Sequence, residues 1–293
     1  MILLDFSGIQ LSCLYSLLKN MDGVWDAKEY KNFVLRTILS HKIKFGGEYG
    51  KYVFCHDANQ NTYWRKDIFK NYKSERAKAK KKQQLLYDNV DWDDVHEVMR
   101  EVKTDFDTVF PYKIMNVNRM EADDIIATLT KNFHHREKIV IISRDHDFKQ
   151  LLQYPNVKLY DPFKKAFVAV ADPKKYILEH TIRGDTGDCI PNILSDENTF
   201  VTAGKRQNSI RKVNLDKWLE MDYKEFCENK TMLKRYIKNK SLVDLSELPA
   251  EYEKNILEEF EKPANGDNKL IYRYLVTNQL AKLAREINLF TEN

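Results

Sequence analysis

Acidic residues follow apolar runs of strand length at several points in this sequence. Asp5 ends the run Ile2-Leu-Leu, and Asp57 ends the run Tyr52-Val-Phe-Cys-His. The remaining acids lie just after similar runs or in a Gly-containing turn: Glu121, Asp123 and Asp124; Asp145 and Asp147; Asp185 and Asp188. Carboxylates bind hard divalent cations. No Ser/His or Cys/His nucleophile arrangement is evident, so the chemistry that this pattern indicates is metal chemistry.

The spacing of these acids predicts that they converge. The carboxyl ends of parallel strands meet at one edge of a sheet, and open α/β sheets place their sites there. Seven or more carboxylates in one crevice repel one another unless several are protonated or cations lie among them. Mg²⁺ or Mn²⁺ fits an all-carboxylate set. Two such ions, roughly 3.5–4 Å apart, would clamp the attacking and leaving oxygens of a phosphodiester.

Each acid also has a purely structural interpretation. A single aspartate after a strand commonly caps a helix or stabilises a turn. For Asp124, capping and direct ligation are equally supported, because adjacent helix residues face different directions. Asp147 could cap the helix that follows it, and Asp185 could stabilise its own turn. Asp5 argues most strongly for a site, since a buried strand does not normally end in an unpaired carboxylate.

A basic segment, residues 65–82, is the second candidate for function. It carries nine cations against two acids, a net +7, so the rest of the chain carries −3 of the total of +4. Aromatic residues lie among the cations, as in proteins that bind single strands through phosphate contacts and base stacking. A solvated charged helix is the alternative. The segment follows Asp57 directly and has few acids for pairing along a helix, which favours a polyanion site.

The elements around these residues predict the fold class. Strands predicted at 2–6, 51–57, 112–117, 138–143 and 157–160 alternate with helices over about residues 1–170. This alternation predicts an α/β fold with a twisted, mostly parallel sheet and helices on both faces. From residue 172 onward the apolar period is helical only, which predicts a smaller all-helical C-terminal part. Its apolar stripes are more typical of a core than of a partner surface.

Composition excludes several classes of protein. The chain has 293 residues, 43% of them hydrophobic and 31% charged, so a wholly disordered chain is excluded. No apolar run approaches the roughly 18 residues of a membrane span, and the N-terminus does not resemble a signal peptide. The four cysteines are far apart and form no CxxC pair, which is typical of reduced cytosolic thiols. We therefore expect a cytoplasmic protein.

Taken in order, these motifs resemble the 5′-nuclease superfamily, which includes flap endonucleases, the 5′-nuclease domains of bacterial DNA polymerase I and phage 5′→3′ exonucleases. Within it the resemblance is to the RNase H of T-even phages. It covers about residues 1–193. The matching motifs are Leu-Leu-Asp5-Phe-Ser, Phe-Cys-His-Asp57, Tyr63-Trp-Arg65-Lys66, Tyr72-Lys73-Ser-Glu-Arg76, Glu121-Ala-Asp123-Asp124, Ser-Arg-Asp145-His-Asp147-Phe and Gly184-Asp185-Thr-Gly-Asp188.

The resemblance implies a role for each of these residues. It divides the chain into an α/β nuclease core, 1–170, with a basic helical arch at 60–86 over the active-site edge, and a helical DNA-binding and C-terminal part, 171–293. The first metal ion would be held by Asp5, Asp57, Asp123 and Asp145, and the second by Glu121, Asp147, Asp185 and Asp188. Lys73 and Arg76 would reach the scissile phosphate and, with Asp123 and Asp145, form the catalytic set. Nucleic acid would also contact Tyr63, Arg65, Lys66 and Tyr72, with Arg65 on a neighbouring phosphate and Tyr72 stacked on a base.

One region departs from the family pattern. After Asp188 most relatives continue into a Gly-rich helix–hairpin–helix that grips duplex DNA, often with K⁺. Here the following stretch has a single glycine, Gly204, which argues against a K⁺ site. Lys205 and Arg206 could still contact the duplex backbone, or they could belong to a solvated loop.

The resemblance also implies an activity and partners. The expected function is metal-dependent 5′→3′ exonuclease and flap endonuclease cleavage at the 5′ ends of RNA primers or DNA, in replication primer removal. The expected cofactors are two Mg²⁺ ions, with Mn²⁺ as a substitute. The expected partners are DNA, RNA–DNA hybrid and branched or 5′-tailed duplex, a sliding clamp or single-strand-binding protein, and no membrane; the chain is expected to be a monomer. A PIN-like ribonuclease and a non-catalytic nucleic-acid-binding protein are the alternatives.

Overall fold

Six strands form one sheet at the centre of the molecule. A computed structural model describes residues 1–58, 62–264 and 267–291, without the side chains of residues 268 and 281. The strands are β1 (Ile2–Asp5), β2 (Tyr52–Cys55), β3 (Lys113–Met115), β4 (Ile139–Ile142), β5 (Val157–Asp161) and β6 (Ala166–Val168). Their order is β3-β2-β1-β4-β5-β6; the first five are parallel, and β6 is antiparallel to β5. The predicted fold class is confirmed. The sequence analysis missed β6, which is a short edge strand without a buried apolar run.

Helices connect and cover the strands. In chain order they are α1 (Phe6–Asn20), α2 (Ala27–Tyr49), α3 (Arg65–Ile68), α4 (Arg76–Gln84), α5 (Trp92–Thr108), α6 (Ala122–Phe133), α7 (Pro173–Arg183), α8 (Lys212–Trp218), α9 (Tyr223–Phe226), α10 (Lys230–Val243), α11 (Ala250–Glu261), α12 (Asn268–Thr277) and α13 (Ala281–Ala284). Short 3₁₀ segments span Asp147–Gln153, Leu245–Glu247 and Ile287–Leu289. Among the described residues, no helix is both long and apolar enough to cross a membrane.

The sheet is buried on both faces, as its apolar strands require. Successive side chains of a strand point to opposite faces, so Ile2 and Leu4 pack with α1, α2 and α5, whereas Leu3 packs with α6 and the 3₁₀ segment Asp147–Gln153. Because helices cover both faces, the carboxyl ends of the strands are the part of the sheet where a site is expected.

The predicted C-terminal part contributes to several cores. Residues of α7–α10 form a core of their own around Trp218 and Phe226. The last helices instead pack back on the sheet: Ile256 of α11 lies on one face, and Leu275 and Leu283 lie on the other. These late helices are part of the α/β body, and the division at residue 170 stays a prediction.

The predicted arch, 60–86, contains α3 and α4, and its residues 60 and 61 lie outside the described part of the chain. Helix α4 buries none of its residues. The segment before it is anchored by a small apolar cluster in which Tyr63, Phe69 and Tyr72 pack with Ile190 and residues of α10. The arch therefore joins a buried base to an exposed, cationic helix.

Candidate metal centre and active site

A chain of hydrogen bonds joins the carboxyl ends of β1 and β4. The Asp5 carboxylate accepts hydrogen bonds from Gly8 N at 2.9 Å and from Ser143 Oγ at 2.9 Å. Ser143 Oγ accepts one from Asp145 N at 3.0 Å, and the Asp145 carboxylate accepts one from Asp147 N at 2.9 Å. A Cβ at Gly8 would collide with the Asp5 carboxylate. Asp5 thus caps α1 and is also fixed against the loop after β4.

The second strand and α6 complete this acidic edge. The Asp57 carboxylate accepts a hydrogen bond from Ala122 N, at the start of α6, at 2.9 Å. Burial and the charges of Asp57 and Asp145 raise the pKa of Asp5 to about 6, although two hydrogen bonds oppose the shift. Burial and the charge of Asp145 raise the pKa of Asp123 well above its usual range. These carboxylates are therefore close enough to oppose one another's ionisation, as the predicted convergence requires.

Two groups of side chains at this edge have the geometry to hold a cation. One comprises Asp123, Asp145 and Asp147, and the other Asp147, His180 and Asp185. Within each group one ligand atom per residue lies within 4.8 Å of the others. Carboxylates suit Mg²⁺ and Mn²⁺, and an imidazole suits the transition metals. The two groups share Asp147, so the donor set fits two neighbouring divalent ions.

The sequence analysis missed His180. Its Nδ1 lies 3.3 Å from Asp147 Oδ1, and its Nε2 lies 3.4 Å from Asp185 Oδ2. His180 belongs to the last turn of α7, and Gly184, with φ of 66°, turns the chain so that Asp185 returns beside it. A Cβ at Gly184 would collide with the Ile190 carbonyl oxygen. The available signal was a histidine one helical turn before a Gly-Asp turn.

The pKa shifts in this half of the site have opposing causes. Burial and the charge of Asp145 raise the pKa of Asp147 to about 7. Burial alone would lower the pKa of His180, but its hydrogen bond to Asp185 and the charge of Asp147 raise it. Burial opposes ionisation of Asp185, yet the hydrogen bonds from His180 and from Asp188 N lower its pKa. The neighbouring carboxylates therefore favour the protonated form of His180, whose positive charge would offset some of the charge that a metal ion would neutralise.

Two cations of the arch reach the same edge. Lys73, buried and with φ of 56°, forms an ion pair with Glu121, and its Nζ lies 3.7 Å from Asp188 Oδ2. The Arg76 guanidinium is 2.6 Å from Asp188 Oδ1, and its side chain is 50% exposed. The structure thus places Lys73 and Arg76 beside Glu121 and Asp188, two of the acids that the resemblance assigned to the second metal ion.

A buried ion-pair network lies behind these two cations. Arg65 Nη1 is 2.9 Å from Glu121 Oε2, Arg65 Nη2 is 2.8 Å from Asp124 Oδ1, and Arg65 Nε donates to the Leu242 carbonyl oxygen at 2.9 Å. Asp124 also accepts a hydrogen bond from Glu121 N, so the two residues form a capping box for α6. Of the two interpretations of Asp124, the structure supports capping.

This network and the burial around it correct four predictions of nucleic-acid or metal contact. Arg65 is buried among carboxylates, so it does not present its guanidinium to a phosphate. Tyr72 is buried, and its hydroxyl donates to Glu121 at 2.8 Å, so its ring is not open to stacking; Tyr63 is buried as well. Glu121 directs both carboxylate oxygens to Lys73, Arg65 and Tyr72 rather than to the metal edge. Burial raises the pKa of Glu121, but the charges of Lys73 and Arg65 outweigh it and lower that pKa.

The other predicted nucleic-acid contacts are on the surface. Lys66 is half-buried, and Lys205 and Arg206 are exposed, far along the chain from the arch. Lys205 Nζ is 2.8 Å from Asp196 Oδ2 and 2.6 Å from Asn198 Oδ1, so it is held by its own loop. The role of these three cations stays a prediction.

Family models cover almost the whole chain. The model for the 5′–3′ exonuclease N-terminal resolvase-like domain matches residues 15–181, and the model for the C-terminal part of T4 RNase H matches residues 172–290. Together they span residues 15–290, which include the late helices and the acids of the edge from Asp57 onward.

Individual relatives are also nucleases. The chain is 30% identical to the ribonuclease H of enterobacteria phage T4 over 301 aligned positions, covering 98% of this chain and 95% of that protein. It is 38% identical to the flap endonuclease Xni of Shewanella denitrificans over 82 positions, covering 25% of this chain and 32% of that one.

Among solved structures, a protein of phage T5 co-crystallised with metal ions matches with a TM-score of 0.57 at 17% identity, covering 89% of this chain and 99% of that one. A phage T5 flap endonuclease in complex with DNA and metal ions matches with a TM-score of 0.56 at the same identity. These likenesses support the fold. The sequence relationships favour a 5′-nuclease over a PIN-like ribonuclease and over a non-catalytic binding protein, and the chain belongs to the 5′–3′ exonuclease family of hydrolytic nucleases.

Proposed function

We propose that this 5′-nuclease depends on two divalent metal ions, Mg²⁺ or Mn²⁺, held at the acidic edge of its sheet. The single observation that carries this proposal is the pair of cation-sized groups that share Asp147. Asp5, Asp123 and Asp147 have raised pKa values, which is the expected result when carboxylates gather without a counterion. We assign the first ion to Asp5, Asp57, Asp123 and Asp145. We assign the second to Asp147, Asp185 and Asp188, with His180 in place of Glu121.

The chain's own residues orient the substrate and stabilise charge. When bound, the ions lower the pKa of water and neutralise charge on the leaving 3′ oxygen. Lys73 and Arg76 lie on the arch side of the acids and stabilise negative charge on the non-bridging phosphate oxygens. Lys73 is paired with Glu121 and Arg76 with Asp188, and each cation leaves its carboxylate when it binds the phosphate. Arg65 holds Glu121 and Asp124 and so fixes the base of the arch against α6. Hydrolysis then yields a 5′-phosphate and a 3′-hydroxyl.

The substrates follow from the charge of the arch and from the relatives. Helix α4 carries five cations and no acid, and none of its residues is buried. That surface suits the phosphates of a 5′ single strand. The T5 relative binds DNA, and the T4 relative is an RNase H. We therefore propose RNA primers on DNA, 5′ flaps and 5′-tailed duplexes as substrates, in replication primer removal. A sliding clamp or single-strand-binding partner and a monomeric state stay predictions.

The test is a cleavage panel of 5′-labelled flap, nicked and primer–template substrates, with Mg²⁺ and with a chelator. We expect Asp123→Asn to abolish Mg²⁺-dependent cleavage while substrate binding, measured by anisotropy with chelator, stays near normal. Asp216→Asn, on the exposed side of α8, is the matched control. Cleavage that persists in chelator, or that survives Asp123→Asn, would contradict the metal assignment.

A further inference from the structure

A cavity opens beside α1. It has a volume of about 730 Å³ and lies between α1, α2 and the turn that joins β5 to β6. That volume is within the roughly 300–1,000 Å³ typical of small-ligand sites. None of the ten side chains that the preceding section assigned to the metal ions or to the scissile phosphate contributes to its wall.

The wall of this cavity carries charge of a single sign. Four cations line it, Arg36, Lys44, Arg144 and Lys165, and no aspartate or glutamate does so in the described part of the chain. Lys44 Nζ donates to Tyr160 OH at 2.8 Å, a neutral partner that leaves the charge of Lys44 uncompensated. The cavity therefore attracts an anion.

Aromatic rings form the rest of the binding surface. Phe163, in the β5–β6 turn, is 68% exposed, and Phe33 of α2 lines the opposite side. The Arg144 guanidinium lies 4.8 Å from the centre of the Phe163 ring. A ring held out in water beside a guanidinium offers a face for stacking a planar group.

A buried histidine adds an independent polar group. His41 borders the cavity, is 6% exposed, and its Nδ1 has no hydrogen-bond partner among the described residues. Burial and the charge of Lys44 lower the pKa of His41 to about 4, so its imidazole is neutral at pH 7. A buried polar atom without a partner costs stability unless a ligand or water satisfies it.

We propose that this cavity binds a nucleoside phosphate unit, with the phosphate among the four cations and the base on Phe163. The inference goes beyond the proposed function, because it concerns a site that shares no residue with the metal edge. The two sites are close in the chain: Arg144 directly precedes Asp145, and Ile9 lies one helical turn after Asp5. The unit could be a free nucleotide or one nucleotide of a strand.

The test is titration calorimetry of the full chain in chelator, so that the metal edge is not engaged. The probes are dAMP, deoxyadenosine and inorganic phosphate. We expect dAMP to bind, and deoxyadenosine and phosphate each to bind more weakly by about tenfold or more, since each lacks one half of the contacts. Phe163→Ala, and Arg36→Gln combined with Lys165→Gln, should each weaken dAMP binding by about tenfold. Lys28→Gln is the matched control, because Lys28 is an exposed cation on the same helix as Arg36, and it should leave dAMP affinity unchanged.

A second arm identifies the source of the nucleotide. Anisotropy of a labelled short oligothymidylate is measured in chelator with the same variants. A loss of strand affinity in Phe163→Ala parallel to the loss for dAMP assigns the site to a strand; an unchanged strand affinity assigns it to a free nucleotide. No binding of dAMP, equal binding of phosphate and dAMP, or equal dAMP affinity in wild type and Phe163→Ala would each overturn the proposal. Flap cleavage by the wild type with Mg²⁺ is measured separately, so a failure of the nuclease proposal can be distinguished from a failure of the nucleotide-site proposal.

Discussion

Replacing Arg65 with methionine removes the cation at the centre of the buried network and keeps a similar apolar volume. The Arg65 side chain is 3% exposed, and those of Glu121 and Asp124 are 1% and 0% exposed, so solvent screens these ion pairs little. Removing one partner of a buried ion pair costs about 3–5 kcal/mol, because the remaining charges stay buried without compensation. We expect Arg65→Met to lower the free energy of unfolding by that amount.

The assay is urea-induced unfolding followed by circular dichroism in chelator. Arg119→Met is the matched control, because Arg119 also pairs with an aspartate, Asp67, but at the surface. It should change stability far less, since water screens exposed pairs. Adding Asp124→Asn to Arg65→Met should recover part of the loss, with a coupling of about 0.5–3 kcal/mol. A loss for Arg65→Met no larger than that for Arg119→Met would refute the buried network and favour the phosphate contact that the resemblance implied for Arg65.

Three further outcomes are expected. Gly8→Ala should displace the Asp5 carboxylate and weaken Mn²⁺ binding by about tenfold or more in calorimetry. Gly47→Ala is the control, because a Cβ at Gly47 meets no other atom, and it should leave Mn²⁺ affinity unchanged. Equal Mn²⁺ affinities of the two variants would contradict this prediction. In chelator the melting temperature should fall as pH rises from about 5 to 8. The reason is that a carboxyl group with a raised pKa in the folded state, such as Asp147 with a pKa of about 7, binds more protons in the folded than in the unfolded chain. Mg²⁺ should reduce this dependence of melting temperature on pH, and a melting temperature independent of pH without metal would be evidence against the clustered acids. Lys73→Ala combined with Arg76→Ala should slow flap cleavage by about 10²–10³ while substrate affinity falls much less. If cleavage rate and affinity fell equally, or if neutralising two lysines of α4 had the same effect, these two cations would contribute only general electrostatic attraction to the substrate.

The sequence predicted the parts of the fold that depend on local pattern. Apolar runs ending in acids located β1, β2 and β4, and the shared direction of parallel strands then brought Asp5, Asp57 and Asp145 to one edge. β6 escaped detection because Ala166–Val168 is short and mostly exposed, so pairing with β5 and not burial makes it a strand. The pairing of β6 with β5 depends on tertiary contacts, which the periodicity of apolar residues in the sequence does not reveal.

The direction in which an arch side chain points could not be predicted. Arg65, Tyr72 and Lys73 lie in a run where cations and rings alternate, and that composition suits a nucleic-acid surface and a buried network equally. The outcome depends on whether carboxylates lie close to these side chains in the fold. Glu121 does so, although it is more than 45 residues away in the sequence. His180 was missed because a single histidine on a helix carries little signal by itself, although it stands one helical turn before the Gly184-Asp185 turn that returns Asp185 to it.

The most direct test of the account counts divalent ions at the sheet edge. Mn²⁺ binding to the full chain, followed by electron paramagnetic resonance of the free ion, should show two ions bound per wild-type chain. Asp123→Asn should lose at least one of them, and Asp216→Asn should keep both. Absence of Mn²⁺ binding by the wild type, or identical binding by Asp123→Asn, would contradict the claim that the fold gathers these acids to hold metal.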